Sequence, residues 1–91
     1  MRRIIWTTSA RNDLRGIRGY LQNFNPIAAQ QLVAALLDSA ESLIDLAERG
    51  RPLRGGRREL VAVWPYVIRY RIEGQEVVII RVRHGSRKPL R

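Results

Sequence analysis

The hydrophobic residues of this chain change their spacing once, near residue 60, and this change limits the possible folds more than any other feature. Before it, apolar residues recur every three or four positions, which is typical of helices. After it, apolar and polar residues alternate, which is typical of half-buried strands. The pattern predicts an α+β domain: a short strand (RIIW), an antiparallel helix hairpin, then a three-stranded antiparallel meander. The helices should cover one face of the resulting small sheet.

Local signals predict where the two helices begin and end. Ser9 is the predicted N-cap of the first helix, since its hydroxyl can accept from a free amide. Asn25 is expected to cap the second helix, with Pro26 in its first turn. A glycine terminates helices at little cost, so the second helix should end near Glu48–Gly50. The predicted stripe of the first helix is Ala10, Leu14, Ile17, Leu21 and Phe24.

The alternation after residue 60 assigns side chains to the two faces of the sheet. The segment YVIRYRI places tyrosines and isoleucines on the helix side, opposite Arg69 and Arg71. In VVIIRVR, strict alternation groups Val78, Ile80 and Val82 on one face, opposite Val77, Ile79, Arg81 and Arg83. The uncovered face of the sheet is therefore predicted to carry the arginines 69, 71, 81 and 83.

Composition restricts the function classes. The 91 residues suit one domain, 1–91, and the seventeen Lys plus Arg against eight acids give a net charge of +9. Nearly all of this charge is arginine, which favours carboxylate or phosphate partners. The absence of cysteine and the single histidine exclude disulfides and ordinary zinc sites, so we expect no metal and no cofactor. No apolar stretch approaches membrane-spanning length and no signal peptide is visible, which predicts a cytoplasmic protein without membrane contact.

The basic strands and the loop between residues 49 and 59 together suggest an anion-binding concavity. The loop adds Arg51, Arg54, Arg57 and Arg58. His84 could act as a general acid or base, but the sequence reveals no partner for it, so a contact role is preferred. Three interpretations stay open at this point: the working edge of a nuclease, a docking surface for an acidic partner, and a solvated tail.

Several segments together resemble the RelE/ParE superfamily of bacterial type II toxins. These are Trp6, ARNDLRGIRGYL, NPIAAQQLVAAL, GRREL, YVIRYRIEGQEVVIIRV and RHGSR, which extend over nearly the whole chain. The resemblance implies a helix hairpin on a mostly antiparallel sheet, and a toxin held inactive by an acidic antitoxin. The expected antitoxin contacts are Arg58, Arg69 and Arg71.

Three positions bear on the choice between the two branches of this superfamily. Val67 stands where RelE-like ribonucleases carry a basic residue. Arg87 matches a basic residue near the end of both branches. His84 resembles a terminal histidine of some ribonuclease members, but no aromatic residue accompanies it after Arg83. We therefore predict a ParE-like inhibitor that binds DNA gyrase without catalysis. Its predicted target contacts are Arg81, Arg83, His84 and Arg87.

The alternative is a metal-independent, ribosome-dependent endoribonuclease that cuts mRNA. In that mechanism arginines neutralise the scissile phosphate, the 2′-hydroxyl of the RNA attacks, and the histidine carries a proton. The residues predicted for it are Arg57, Arg81, His84 and Arg87. A third possibility is a protein that binds an antitoxin but has no remaining activity.

Overall fold

The computed structural model describes residues 2–85. The elements are β1 (Arg3–Trp6), α1 (Thr8–Gln22), α2 (Pro26–Glu41), β2 (Arg51–Pro52), β3 (Arg57–Val63), β4 (Tyr66–Glu73) and β5 (Glu76–His84). Short 3₁₀ turns occupy Ser42–Ile44 and Arg54–Gly56. This order confirms the predicted α+β fold of a strand, a helix hairpin and a meander.

All five strands form one sheet in the order β1-β5-β4-β3-β2. The meander strands pair antiparallel, as predicted, while β1 pairs parallel with β5. A parallel neighbour needs a long connection, which the helix hairpin provides. The two-residue strand β2 lies in the predicted loop and pairs with β3, so the sheet has one strand more than predicted.

Thr7, not Ser9, caps α1, so that prediction is wrong. The Thr7 hydroxyl oxygen accepts from the Ala10 amide at 3.1 Å and donates to the Ile79 carbonyl at 2.8 Å. Because Thr7 directly follows β1, its hydroxyl can reach both the helix and β5. The first turn of α1 is thereby attached to the sheet.

The second helix begins as predicted but ends earlier than predicted. Asn25 accepts from the Ala28 amide at 3.1 Å, and Pro26 is the first helical residue. Regular helix stops at Glu41, before the predicted Glu48–Gly50. The Ser42 hydroxyl donates to the Ser39 carbonyl at 2.6 Å, a local bond of the kind that competes with helix continuation.

The stretch Pro26–Ile44 has a mean hydropathy of 1.2, and by length and composition it could cross a membrane. This corrects the expectation that no apolar stretch approaches that length. The core helices of soluble proteins share these properties. The buried residues of this stretch belong to the hydrophobic core: Ala29, Leu36, Ala40 and Leu43.

The core lies between the helices and one face of the sheet. Its largest fully buried side chains are Tyr70, Leu36, Leu43, Ile68, Ile79 and Val77. Tyr70 and Ile68 face the core as predicted, but the assignment for β5 is wrong in its first half. A register shift of β5 opposite Arg69 and Tyr70 leaves Ile80 without a paired residue. This bulge reverses the alternation, so the core side chains of β5 are Val77, Ile79 and Val82.

Candidate functional site

The face of the sheet opposite the helices carries a row of charged residues in register. Arg51 of β2 stands opposite Glu59 of β3, and Glu59 stands opposite Arg69 of β4. In the neighbouring row, Val67 of β4 pairs with Arg83 of β5. Cross-strand neighbours on one face lie close enough for their side chains to interact. Glu59 is therefore held between two arginines by the sheet itself.

Glu59 forms ion pairs in both directions along this row. Its Oε1 lies 3.2 Å from Arg51 Nη2, and its Oε2 lies 3.0 Å from Arg69 Nη2. Only 14% of the Glu59 side chain and 27% of the Arg69 side chain is exposed. Within residues 2–85 the buried Nε of Arg69 has no hydrogen-bond partner. Because Glu59 is shielded from water, solvent and salt screen its charge less than that of a surface carboxylate.

A cavity of about 270 Å³ lies beside this row, and we call it the open-face pocket. It is lined by Arg51, Glu59, Val67, Arg69, Arg83, His84 and Gly85. Three arginines and one glutamate give it a formal charge of +2 with His84 neutral. A concave surface with this excess of positive charge favours an anionic ligand.

The last residue of β5, His84, is a wall of the open-face pocket and also contacts an aromatic ring. His84 pairs with Tyr66 across the strands, and the two rings meet nearly at right angles, with centroids 5.3 Å apart. His84 also lines a second cavity of about 720 Å³ against α1, which includes Asp13 and Tyr20. The aromatic partner of His84 lies on β4 and not in the segment after Arg83. The pairing register of β4 and β5 places Tyr66 opposite His84, so a correct prediction of that register would have identified this contact.

Arg81 interacts with helix α1 instead of lining the open-face pocket. Its Nε and Nη2 donate to the two oxygens of Asp13, at 2.9 and 3.1 Å. The Asp13 carboxylate also accepts from the Val82 amide at 2.8 Å. The carboxylate raises the pKa of the Arg81 guanidinium above its ordinary value, mainly through these hydrogen bonds. This cluster fixes α1 to β5.

The arginines predicted to bind the antitoxin have different surroundings. Arg58 Nη1 donates to the carbonyls of Glu48 at 3.1 Å and Gly50 at 2.7 Å, and so holds the chain that leads into β2. Arg71 pairs with Glu73. Of these three predicted contacts, only Arg69 lines the open-face pocket.

The structure therefore unites some of the predicted site residues and separates others. The open-face pocket contains Arg69, Arg83 and His84. Exposed Arg57 makes its side-chain bond with the Arg54 carbonyl, at 3.5 Å, and does not line the pocket. Arg87 lies outside the described residues. The predictions of their roles stay predictions.

Sequence reasoning missed Glu59 as a member of this site. It did place Arg51 in a basic loop, but not beside a carboxylate. The available signal was the alternation of β3, which puts Glu59 on the face opposite buried Leu60. The position of β2 could not be read in the same way, because two residues have no periodicity.

Tyr70 holds the loop beside this site from the core side of the sheet. Its hydroxyl donates to the Ala47 carbonyl at 2.6 Å and accepts from the Gly50 amide at 2.9 Å. A Cβ at position 50 would stand 2.5 Å from the hydroxyl oxygen, so glycine permits this contact. Burial raises the pKa of Tyr70. The chain entering β2, and with it Arg51, is thereby fixed to the core.

Within residues 2–85, no three His, Cys, Asp or Glu side chains are grouped to hold a metal ion. The chemistry available to the open-face pocket is that of guanidinium groups, one carboxylate and one imidazole. Such a set can bind an anion by paired hydrogen bonds.

The chain is similar in sequence to proteins that are all described as toxins. Residues 4–89 match the family described as the ParE toxin of the type II toxin–antitoxin system, parDE. Toxin RelE2 of Caulobacter vibrioides is 45% identical over 87 residues, which cover 96% of this chain and 99% of that protein. Toxin RelE3 of the same organism is 37% identical over 79 residues, covering 84% and 86%.

Two solved structures have the same fold. One is the chromosomal ParDE toxin–antitoxin system from P. aeruginosa, with a TM-score of 0.84 and 28% identity, covering 92% of this chain and 96% of that one. The other is the toxin–antitoxin complex RelBE2 from Mycobacterium tuberculosis, with a TM-score of 0.68 and 30% identity, covering 91% and 96%. Together with the sequence relatives, they confirm the resemblance to the RelE/ParE superfamily. The chain belongs to the ParE toxin family of type II toxin–antitoxin systems.

Proposed function

We propose that this toxin acts in the cytoplasm by binding and inhibiting DNA gyrase, and that a cognate acidic antitoxin neutralises it. The match to the ParE toxin family supports a toxin of this branch. Both structural relatives are described as toxin–antitoxin systems, which supports an antitoxin as partner. The charge of +9 supports an acidic segment as the part of the antitoxin that binds.

The lining of the open-face pocket carries the choice of binding over catalysis. Val67 lines the open-face pocket at the position where the ribonuclease branch has a basic residue. In the same pocket, Glu59 already pairs with Arg51 and Arg69. Phosphoryl transfer needs cations directed at the charge that develops on the phosphate. A valine and an internal counter-ion at these places favour a site that binds a partner over one that cleaves RNA.

In this proposal, Arg83 and His84 contact the target from the rim of the open-face pocket. Arg87 is a further contact beyond the described residues. Arg81 is not proposed as a target contact, because its guanidinium group already donates two hydrogen bonds to Asp13. The antitoxin covers the basic face of the sheet, where Arg69 is the predicted contact nearest to the pocket.

A second candidate function is that of a RelE-like endoribonuclease, and a specific observation favours it. Glu59 and His84, two groups able to exchange protons, line the same pocket as Arg69 and Arg83. The relatives named Toxin RelE2 and Toxin RelE3 agree with this alternative. In such a mechanism His84 carries the proton and the arginines neutralise the phosphate.

Two assays on the same purified protein separate these functions. The first adds the toxin to gyrase, ATP and relaxed plasmid and measures supercoiling. The second adds it to translating ribosomes and maps mRNA ends. We expect loss of supercoiling and intact mRNA, with supercoiling restored to the control level by the antitoxin. Cut mRNA with normal supercoiling would establish the alternative.

The variant His84→Gln sharpens this comparison. If His84 is a contact, the substitution weakens gyrase inhibition by a few-fold, since glutamine keeps hydrogen-bonding capacity. If His84 carries a proton in catalysis, the substitution abolishes RNA cleavage, since an amide does not titrate.

A further inference from the structure

The open-face pocket contains one carboxylate among its cations, and the proposed function assigns this carboxylate no effect on which ligand is bound. We propose that Glu59 sets the specificity of the pocket: it keeps nucleic-acid phosphates out and leaves Arg83 to receive a single carboxylate from a protein partner. This inference rests on the proposed function, because it takes the partner to be a protein. It adds the residue that makes the distinction and the chemical group that is bound.

The position of Glu59 keeps its negative charge at the wall of the open-face pocket. One carboxylate oxygen is held by Arg51 of β2 and the other by Arg69 of β4, at 3.2 and 3.0 Å. Both partners are fixed by the strand register. The carboxylate cannot turn away from the pocket without losing both ion pairs. Since it is largely shielded from water, its negative charge is screened little.

The arginines of the pocket are consequently not equivalent. Arg51 and Arg69 are each paired with Glu59, whereas Arg83 forms no ion pair with any residue between 2 and 85. Arg83 stands opposite Val67, whose side chain cannot compete for its donors. A guanidinium group of this kind binds one carboxylate through two parallel hydrogen bonds.

Nucleic acid and a protein side chain make different demands on such a pocket. A nucleic-acid strand obtains its affinity from several phosphates that contact several cations at once. Glu59 pairs with two of the three arginines, lowers their combined charge from +2 to +1, and repels a phosphate that approaches them. A single carboxylate needs only Arg83, and a cavity of about 270 Å³ has room for one acidic side chain.

The first experiment measures binding of a short labelled oligouridylate by fluorescence anisotropy at low salt. Removal of one shielded negative charge near the bound phosphates should tighten binding of Glu59→Gln on the order of tenfold over the unsubstituted protein. The matched control is Glu73→Gln, which makes the same change of charge on the same sheet. Glu73 pairs with Arg71 and does not line the pocket, so we expect less than about twofold from it.

Two more variants separate charge from structure. Glu59→Asp keeps the negative charge with a shorter side chain and should bind the oligonucleotide within about twofold of the unsubstituted protein. The double variant Glu59→Gln with Arg51→Gln should lose most of the gain, because the added phosphate contact depends on an arginine that Glu59 releases. Equal effects of Glu59→Gln and Glu73→Gln, or no effect of either, would overturn the role of Glu59.

The second experiment tests the ligand of Arg83 directly. The Nε–H signal of Arg83 is followed by NMR during titration with acetate and, separately, with the oligouridylate. We expect acetate to shift the signal in the unsubstituted protein, and the oligouridylate to shift it strongly only in Glu59→Gln. No shift with acetate, or an oligouridylate shift that is equally large before and after the substitution, would overturn the proposal. Neither experiment contains gyrase, so a failure to inhibit gyrase would sink the proposed function and leave these results standing.

Discussion

Two clusters of arginine and carboxylate, on the two sides of β5, differ in what they leave available. At the junction with α1, Asp13 is 16% exposed and binds both Arg81 and the Val82 amide. On the open face, Glu59 is 14% exposed and binds Arg51 and Arg69 beside a cavity. The first cluster also borders a cavity, but its one guanidinium group is already paired with its carboxylate. The second borders a cavity with Arg83 on its rim, so a ligand can add to it.

The two clusters show why two arginines in similar sequence contexts have different roles. Arg81 and Arg83 stand on the two sides of Val82 in β5, so their local sequence contexts are alike. Asp13 reaches only the first of them. A carboxylate from a distant segment therefore decides that Arg81 stabilises the fold and that Arg83 remains available to a partner.

The largest expected effect on stability comes from removing Asp13, which joins α1 to β5. Asp13→Ala should lower the free energy of unfolding by about 2–3 kcal/mol, because the Val82 amide and the Arg81 guanidinium lose their acceptor. Urea denaturation measures this difference. The control Glu73→Ala removes a more exposed carboxylate that pairs with Arg71 and should cost less than about 0.5 kcal/mol. Similar losses in both variants would contradict the structural role of the Asp13 cluster.

The second-largest effect concerns Tyr70, which holds the loop that leads into β2 beside the open-face pocket. Tyr70→Phe removes the hydroxyl that joins Ala47 and Gly50 and should cost about 2 kcal/mol, since buried backbone groups lose a partner. Tyr20→Phe, at an exposed tyrosine on α1, should leave the free energy of unfolding nearly unchanged. A Tyr70→Phe protein as stable as the unsubstituted one would mean that the hydroxyl does not hold this loop.

A smaller effect should separate the two neighbouring arginines. Arg81→Gln should cost about 1 kcal/mol of unfolding free energy, a value reduced by the partial exposure of its side chain. Arg83→Gln should cost less than about 0.5 kcal/mol, because Arg83 has no ion pair within residues 2–85. A greater loss from Arg83→Gln would reverse the comparison.

The smallest effect is a dependence of stability on alkaline pH. Burial raises the pKa of Tyr70 in the folded protein above its ordinary value near 10. Between those two values the unfolded chain releases a proton that the folded chain retains, so stability falls as the pH rises above about 10. The same titration on Tyr70→Phe should lack this component. Identical slopes in the two proteins would contradict the assignment.

The sequence alone predicts much of the fold, because periodicity is a local property. The two helices, the β4–β5 hairpin and the Asn25 cap follow from residues close together in the chain. The end of α2 did not follow, because Leu43 and Ala47 remain buried after the helix stops and so continue its apolar pattern. The bulge at Ile80 reverses the faces of β5 without any break in its aliphatic run.

The candidate site was only partly predictable for the same physical reason. Alternation placed Arg69 and Arg83 on one face, and both line the open-face pocket. The pairing of Arg81 with Asp13 joins residues 68 positions apart. The position of Glu59 between two strands depends on the register of β2. Neither contact has a signal in the local spacing of residues.

The most direct test measures the toxin concentration that half-inhibits gyrase supercoiling for three proteins: unsubstituted, Arg83→Gln and Arg18→Gln. Arg18 is an exposed arginine of α1, so its variant controls for the loss of one positive charge. We expect Arg83→Gln to require at least about tenfold more toxin, as for the loss of a charged hydrogen-bonded contact, and Arg18→Gln to match the unsubstituted protein. Equal inhibition by all three proteins, or none by the unsubstituted toxin, would contradict a gyrase-binding site centred on Arg83.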